Sequence, residues 1–178
     1  MKQELQQRFL RARRAYIESQ FDNLNQMQKQ AVMTTDGPLL LLAGAGSGKT
    51  TVLINRIYNI LRFGSGSDSD LVPDTLDEED VAFLENLQEP VSEFDRRHAD
   101  YICAVDPPAP WNIVAITFTN KAADELKDRL EHMLGEQARD VWAMTFHSAC
   151  CRILRRDIER LGYTGRFTIY DTADSERI

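Results

Sequence analysis

Apolar positions recur at two spacings along the chain, one helical and one of short continuous runs. Leu5, Phe9, Ala12 and Tyr16 share a helical face and predict an amphipathic helix over residues 2–20, with Arg8, Arg11, Arg13 and Arg14 mostly on its other faces. That basic side reads either as a solvated face of a packing helix or as an arm that touches DNA. A second helical stretch, Asn25 to Thr34, precedes five apolar residues, Leu39 to Ala43, which read as a strand buried on both faces. Thr50, Ile54, Ile57 and Leu61 then give a helix with an apolar stripe. After a long interruption, Ile113 to Phe118 predicts a second buried strand and Lys121 to Leu134 a helix. Val141 to Phe146 reads as a third strand, and Ala149 to Leu161 as a helix carrying Arg152, Arg155, Arg156 and Arg160. Arg166 to Tyr170 reads as one more short strand. Strands alternating with helices predict an α/β fold with a parallel sheet and right-handed crossovers.

The interruption, residues 64–110, has a different character. GSGSDSD reads as a flexible polar link, and TLDE at Thr75–Glu78 as a capping box opening an acidic helix that Pro90 would end. Ser92 to Ala104 reads as a second short helix, stopped by Pro107, Pro108 and Pro110. Charge sharpens the contrast. The chain of 178 residues carries a net −7, but residues 64–108 hold 13 Asp/Glu against Arg96 and Arg97, so that stretch carries −11 and the remainder +4. A mildly basic body with an acidic insertion differs from an acidic protein, and the charge argues against DNA binding by the insertion itself. A solvated spacer, a mobile flap and a docking site for a protein partner all fit residues 64–110.

Composition adds bounds. A hydrophobic fraction of 43% fits a globular chain long enough to bury a core. No apolar run approaches the ~20 residues of a membrane span, and the polar, basic N-terminus has no signal core, which reads as a cytoplasmic protein without a membrane partner. Cys103, Cys150 and Cys151 stand in no zinc-binding spacing with His and read as reduced structural thiols; His98 and His132 read as surface residues.

The candidate chemistry centres on LLLLAGAGSGKTT, Leu39 to Thr51. A buried strand, a glycine-rich turn and a Lys-Thr pair opening a helix form the order that binds phosphate, with unpaired N–H groups and the positive helix end facing the anion. Ala43, Gly44, Ala45, Gly46, Ser47, Gly48, Lys49, Thr50 and Thr51 are therefore assigned to a nucleoside triphosphate. Lys49 reaches the β/γ oxygens and the Thr50 hydroxyl ligates Mg²⁺, and these two are the catalytic candidates. The usual first glycine is Ala43, a minor departure at the strand end. At the ends of the next two strands stand Thr117, Phe118, Thr119 and Asn120, and Thr145, Phe146, His147 and Ser148. In a parallel sheet that edge binds ligands, and hydroxyls, an amide and aromatic rings suit a single nucleic-acid strand. Helix caps and core aromatics would explain either segment alone equally well.

Taken in order, these segments resemble the N-terminal part of a superfamily 1A DNA helicase of the UvrD/Rep/PcrA type. LNQMQKQAV, Leu24 to Val32, resembles that family's Q motif, with Gln28 on the adenine edge; AGAGSGKT resembles motif I, TFTNKAA motif Ia and TFHS motif Ib. FTIYDTAD, Phe167 to Asp174, resembles the stretch leading into the 1B subdomain. The resemblance implies a P-loop NTPase, RecA-like three-layer fold around a central parallel sheet, in an incomplete lobe. It divides the chain into an N-terminal helix (1–20), a Q-motif and P-loop unit (21–63), the acidic insertion (64–110), the rest of lobe 1A (111–162) and the start of 1B (163–178). It implies ATP and Mg²⁺ as ligands, single-stranded DNA as partner, and a parent enzyme that unwinds DNA 3′ to 5′ in repair or replication. Two departures stand out. Thr51 occupies a place where the family often has an Arg that packs on adenine, with Arg56 only a distant replacement, and the acidic insertion has no counterpart in the better-known members. No DExQD motif follows Arg156, so the chain reads as an N-terminal fragment not competent for turnover by itself. A non-catalytic nucleotide-responsive module that recruits a protein partner, or an AddA/RecB-like helicase-nuclease subunit, are the alternative readings.

Overall fold

The computed structural model describes residues 2–44 and 46–169, and places two apolar cores on either side of one helix. In chain order the elements are α1 (Lys2–Ser19), α2 (Gln26–Met33), α3 (Lys49–Phe63), α4 (Glu78–Glu85), α5 (Glu93–Cys103), β1 (Val114–Thr117), α6 (Asn120–Leu134), β2 (Trp142–Thr145) and α7 (Phe146–Asp157). Short 3-10 turns stand at Pro110–Asn112, Gly135–Asp140 and Ile158–Leu161. None of these helices is long and apolar enough to cross a membrane.

α3 is the shared wall. Its Val52 and Phe63 belong to a core built with α1, α2, α4 and α5, whereas Ile54 and Ile57 belong to a second core with α6 and the two strands. A helix apolar on two flanks must be covered on both, and the chain supplies a different partner set for each. Polar side chains of α3 fix its neighbour: Arg56 donates to the Ala31 carbonyl (2.9 Å) and the fully buried Asn59 to the Val32 carbonyl (2.9 Å), tying down the free carbonyl end of α2.

The sheet is smaller than the sequence predicts. β1 and β2 pair in parallel, with Thr117 opposite Thr145, and α6 makes the crossover between them. Leu39 to Ala43 is not a strand among the described residues: Leu40 and Leu42 are 80% and 89% exposed, and Leu39 and Leu41 about half that. The run keeps the alternation of a strand without a ladder, because apolar character alone cannot satisfy backbone N–H and C=O groups; a paired neighbour must, and β1 and β2 pair only with each other. For the same reason β1 is not buried on both faces, with Val114 and Ile116 half exposed. Arg166 to Ile169 forms no strand; Tyr170, and with it the rest of the stretch Phe167–Asp174 assigned to the lead into a further subdomain, lies outside the described residues.

The acidic insertion is neither a spacer nor a flexible link. Its ends meet: Ser65 donates to the Val105 carbonyl and Val105 to that of Phe63, so the chain leaves the end of α3 and returns to it. Gly64 makes this closure possible, since a Cβ there would lie 1.9 Å from the Val105 oxygen and its φ of 60° is left-handed. Between these ends α4 and α5 pack on α1, with Val81 and Ala99 fully buried beside Phe9 and Ile17. The N-terminal turn of α4 is capped by Asp77 with Asp80 as its box partner, two residues beyond the predicted Thr75, and the helix ends at Glu85, before Pro90. α5 is capped by Ser92 and ends at Cys103, as expected.

The basic face of α1 is consumed by this packing. Arg8 forks between Glu78 (2.5 Å) and both oxygens of Glu85, and those hydrogen bonds hold the Glu85 carboxyl below its usual range. Arg13 is 1% exposed and donates to the Leu71 carbonyl (2.7 Å) and that of Ser69; burial lowers its pKa. Tyr16 donates to Asp100, which also takes a two-pronged bond from Arg62 at 2.7 Å. Burial and the bond to Asp100 keep the Tyr16 phenol protonated far above its usual range. Burial also pushes the Cys103 thiol up to about 12, so it is an inert core group. This favours α1 as a packing helix over a free arm: three of its four central arginines, Arg8, Arg13 and Arg14, hydrogen-bond within the chain. Leu84→Ala, on the insertion, is expected to destabilise the chain by about 2–5 kcal/mol in urea denaturation; a midpoint unchanged from wild type would mean the insertion does not share the core.

Candidate functional site

The phosphate-loop candidates gather at the start of α3. Gly48 is the N-cap, with φ of 81°, and Gly46 also has a positive φ of 75°, so successive backbone units turn as an L side chain resists. Gly48 has a second constraint. A Cβ there would stand 2.7 Å from the Gln28 side-chain nitrogen, which donates to the Ser47 carbonyl at 3.1 Å. The Ser47 hydroxyl donates to the Gly44 carbonyl (2.8 Å), and Lys49 Nζ to the carbonyls of Ala43 (3.1 Å) and Gly44 (2.6 Å). The loop is thus laced across its own mouth, with the Lys49 ammonium held at the helix end where the dipole favours an anion. Lys49 and Thr50 are exposed, Thr51 is half buried, and Ala45 lies outside the described residues.

Gln28 connects this loop to α2. Asn25 caps α2: its side chain accepts from the Gln28 backbone (3.0 Å) while Gln28 Oε1 accepts from the Asn25 backbone (3.1 Å). One side chain therefore closes a helix cap and grips the phosphate loop at once. A cavity of about 340 Å³ is bounded by Gln28, Met27, Leu42, Ser47, Lys49 and Val52, among others. Asn25, which sequence reasoning missed as a cap, was signalled by its spacing to Gln28, an amide pair three residues apart. Arg56 does not line this cavity, and its guanidinium donates to the Ala31 carbonyl.

The second group sits at the carboxyl ends of the strands. Because β1 and β2 run in parallel with Thr117 beside Thr145, Phe118 and Phe146 leave the sheet as neighbours, each at the start of a helix. Phe118 is fully exposed, Phe146 is 57% exposed and meets His147 edge-on at 6.1 Å, and Asn120, His147 and Ser148 are exposed. Exposed rings are costly unless something covers them, and two beside two helix N-termini offer stacking faces and N–H groups together. Thr119 and Thr145 have another duty. They cap α6 and α7 by accepting from the Ala122 N–H (3.1 Å) and the Ser148 N–H (3.3 Å), and Thr145 is buried. Thr117 donates to the Thr119 carbonyl (3.0 Å) and shapes the turn. Among the described residues no hydrogen bond joins this edge to the phosphate loop, so the expected single rim is two groups, connected through the packing of α3 on α6.

Comparison with known proteins adds to this geometry. The sequence profile of the UvrD/REP helicase N-terminal domain matches residues 24–75 and 99–178. The chain is 46% identical over 160 residues to the ATP-dependent DNA helicase PcrA of Bacillus subtilis, 43% over 156 residues to that of Staphylococcus epidermidis and 40% over 157 residues to that of Staphylococcus aureus. These alignments take in 88–89% of the chain but 16% of each relative's length.

Caps and contacts separate by stability. Thr145→Ala is expected to cost about 0.5–2 kcal/mol in thermal or chemical unfolding, whereas the exposed Phe146→Ala stays within about 0.5 kcal/mol of wild type. Equal losses would mean that Phe146 is a packing residue and not part of an open edge.

Proposed function

Since the chain belongs to the UvrD/REP helicase N-terminal domain family, we propose that it is the ATP-binding and single-strand-binding part of an ATP-dependent DNA helicase. The observation that carries this reading is the junction of Gly48, Gln28 and Ser47 at the start of α3, a cradle closed by backbone and by one amide. The family supports a P-loop NTPase fold, and we assign the central RecA-like sheet to it with Leu39 to Ala43 as a strand awaiting its partners.

The loop residues fit a nucleoside triphosphate. Gly46 and Gly48 turn backbone N–H groups toward the β-phosphate, and Lys49 exchanges the Ala43 and Gly44 carbonyls for β/γ oxygens. The exchange is favourable because a carbonyl offers a partial charge and a phosphate oxygen a full one. The exposed Thr50 hydroxyl would hold Mg²⁺, which would supply charge neutralisation at the β/γ oxygens. Among the described residues no group of three His, Cys, Asp or Glu could hold a metal. The nucleotide site and the strand-binding edge lie at the starts of α3 and of α6 and α7, and the packing of α3 on α6 connects them by apolar contact. In the whole enzyme this would couple the nucleotide cycle to movement along a strand 3′ to 5′, in the cytoplasm and in the service of DNA repair.

Titration calorimetry with a non-hydrolysable ATP analogue and Mg²⁺ is expected to give binding that Lys49→Ala abolishes while circular dichroism stays unchanged. Absence of binding in the folded wild type overturns the nucleotide assignment for this chain. Fluorescence anisotropy with an oligothymidylate is expected to show Phe118→Ala weakening binding by about 1–3 kcal/mol with nucleotide binding unchanged. Equal loss of both ligands would point to a damaged fold.

A further inference from the structure

α7 carries a row of arginines beyond the residues assigned above, and the row is not uniform. Arg156 and Arg160 both turn to Asp157, at 2.7 Å and 3.5 Å. Arg152 and Arg155 form no ion pair among the described residues. They stand on the same face as Ser148, one and two turns farther along the helix, and with His147, Ser148, Cys151 and Ile169 they line a cavity of about 480 Å³.

Arg152 is also held in place. Its guanidinium carbon lies over the Trp142 ring, on β2, 3.8 Å from the centroid, a cation–π contact. A guanidinium held over a ring has less freedom to lose when a ligand arrives, and its planar fork of donors suits the oxygens of a phosphate. Arg155, one turn on, adds a second charge to the same wall. Uncovered cations facing a recess, next to an edge that offers rings and helix N–H groups, are the arrangement expected where a polyanion continues along a surface.

We propose that Arg152 and Arg155 form a subsite for two neighbouring backbone phosphates of the single strand, one at each arginine, carrying the strand from the β1–β2 edge down the side of α7. The subsite rests on the single-strand reading above and adds to it a direction of exit: the strand leaves the edge along α7 and not toward α1, whose Arg8 and Arg13 are spent on the insertion. Trp142 is a positioning residue, acting through Arg152.

The test is binding of a labelled oligothymidylate across a salt series. Each phosphate neutralised on a single strand contributes about 0.7 to the slope of log K against log salt, so Arg152→Gln with Arg155→Gln is expected to flatten the slope by about 1.4. Equivalently, the advantage of wild type over this double variant shrinks about sevenfold between about 50 and about 200 mM salt. Arg156→Gln with Arg160→Gln removes the same charge from paired positions and leaves the slope near that of wild type. Phe118→Ala weakens binding at every salt concentration without changing the slope. A double variant at positions 152 and 155 with the wild-type slope overturns the subsite and, if Phe118→Ala still weakens binding, leaves the edge intact. A folded wild type that fails to bind the strand overturns the edge and the subsite together. Displacement of the oligonucleotide from wild type, but not from the 152/155 variant, by inorganic phosphate at constant ionic strength would show a simple anion site and overturn the assignment to a strand.

Discussion

Two-sided burial of α3 is the constraint on which the other elements depend. Its first residue is Lys49, so the orientation of the anion-binding end is set by what covers the rest of the helix. One flank is covered by α1, α2 and the insertion, the other by α6 and the strands. Loosening either core would let the helix tilt, and the phosphate loop, which has few contacts of its own beyond Gln28, would tilt with it. The polar ties from Arg56 and Asn59 to the last carbonyls of α2 act in the same sense, keeping Gln28 at a fixed height above Ser47.

The two ligand-facing groups reach their positions by different physics. At the loop, backbone conformation does the placing: Gly46 and Gly48 are left-handed, and at Gly48 the Gln28 amide stands where a Cβ would reach. At the strand ends, parallel pairing does it, because register alone sets Thr117 beside Thr145 and sends Phe118 and Phe146 out together. The threonines there keep the helices started, and the rings between strand and helix have no packing left to do.

Local signals in the sequence proved sound. Helical spacing marked α1, α3, α6 and α7 within a few residues, the glycine-rich loop and its Lys-Thr pair stand at a helix start, and the apolar runs Ile113 to Phe118 and Val141 to Phe146 each contain a strand. What sequence did not reveal were relations between distant segments. Leu39 to Ala43 has the composition of a strand, but whether it is one depends on a neighbour that composition cannot name. Arg8 and Arg13 have the look of a solvated face, and only the arrival of Glu78, Glu85 and the Ser69 and Leu71 carbonyls, more than fifty positions away, changes their role. The acidic count of the insertion likewise concealed that its apolar residues, spaced among the carboxylates, supply five of the sixteen buried residues of one core.

The family profile passes over residues 1–23 and 76–98, which contain α1 and α4. Those two skipped segments are the ones that pack on each other, joined by Arg8 and its two glutamates. Neither is a free-standing ornament. A lineage that acquired the helix without the insertion would expose Phe9 and Ile17 to water, and one that acquired the insertion without the helix would leave Val81 and Leu84 uncovered. The pair is therefore expected to be inherited as a unit, so that among related sequences the presence of one segment foretells the other.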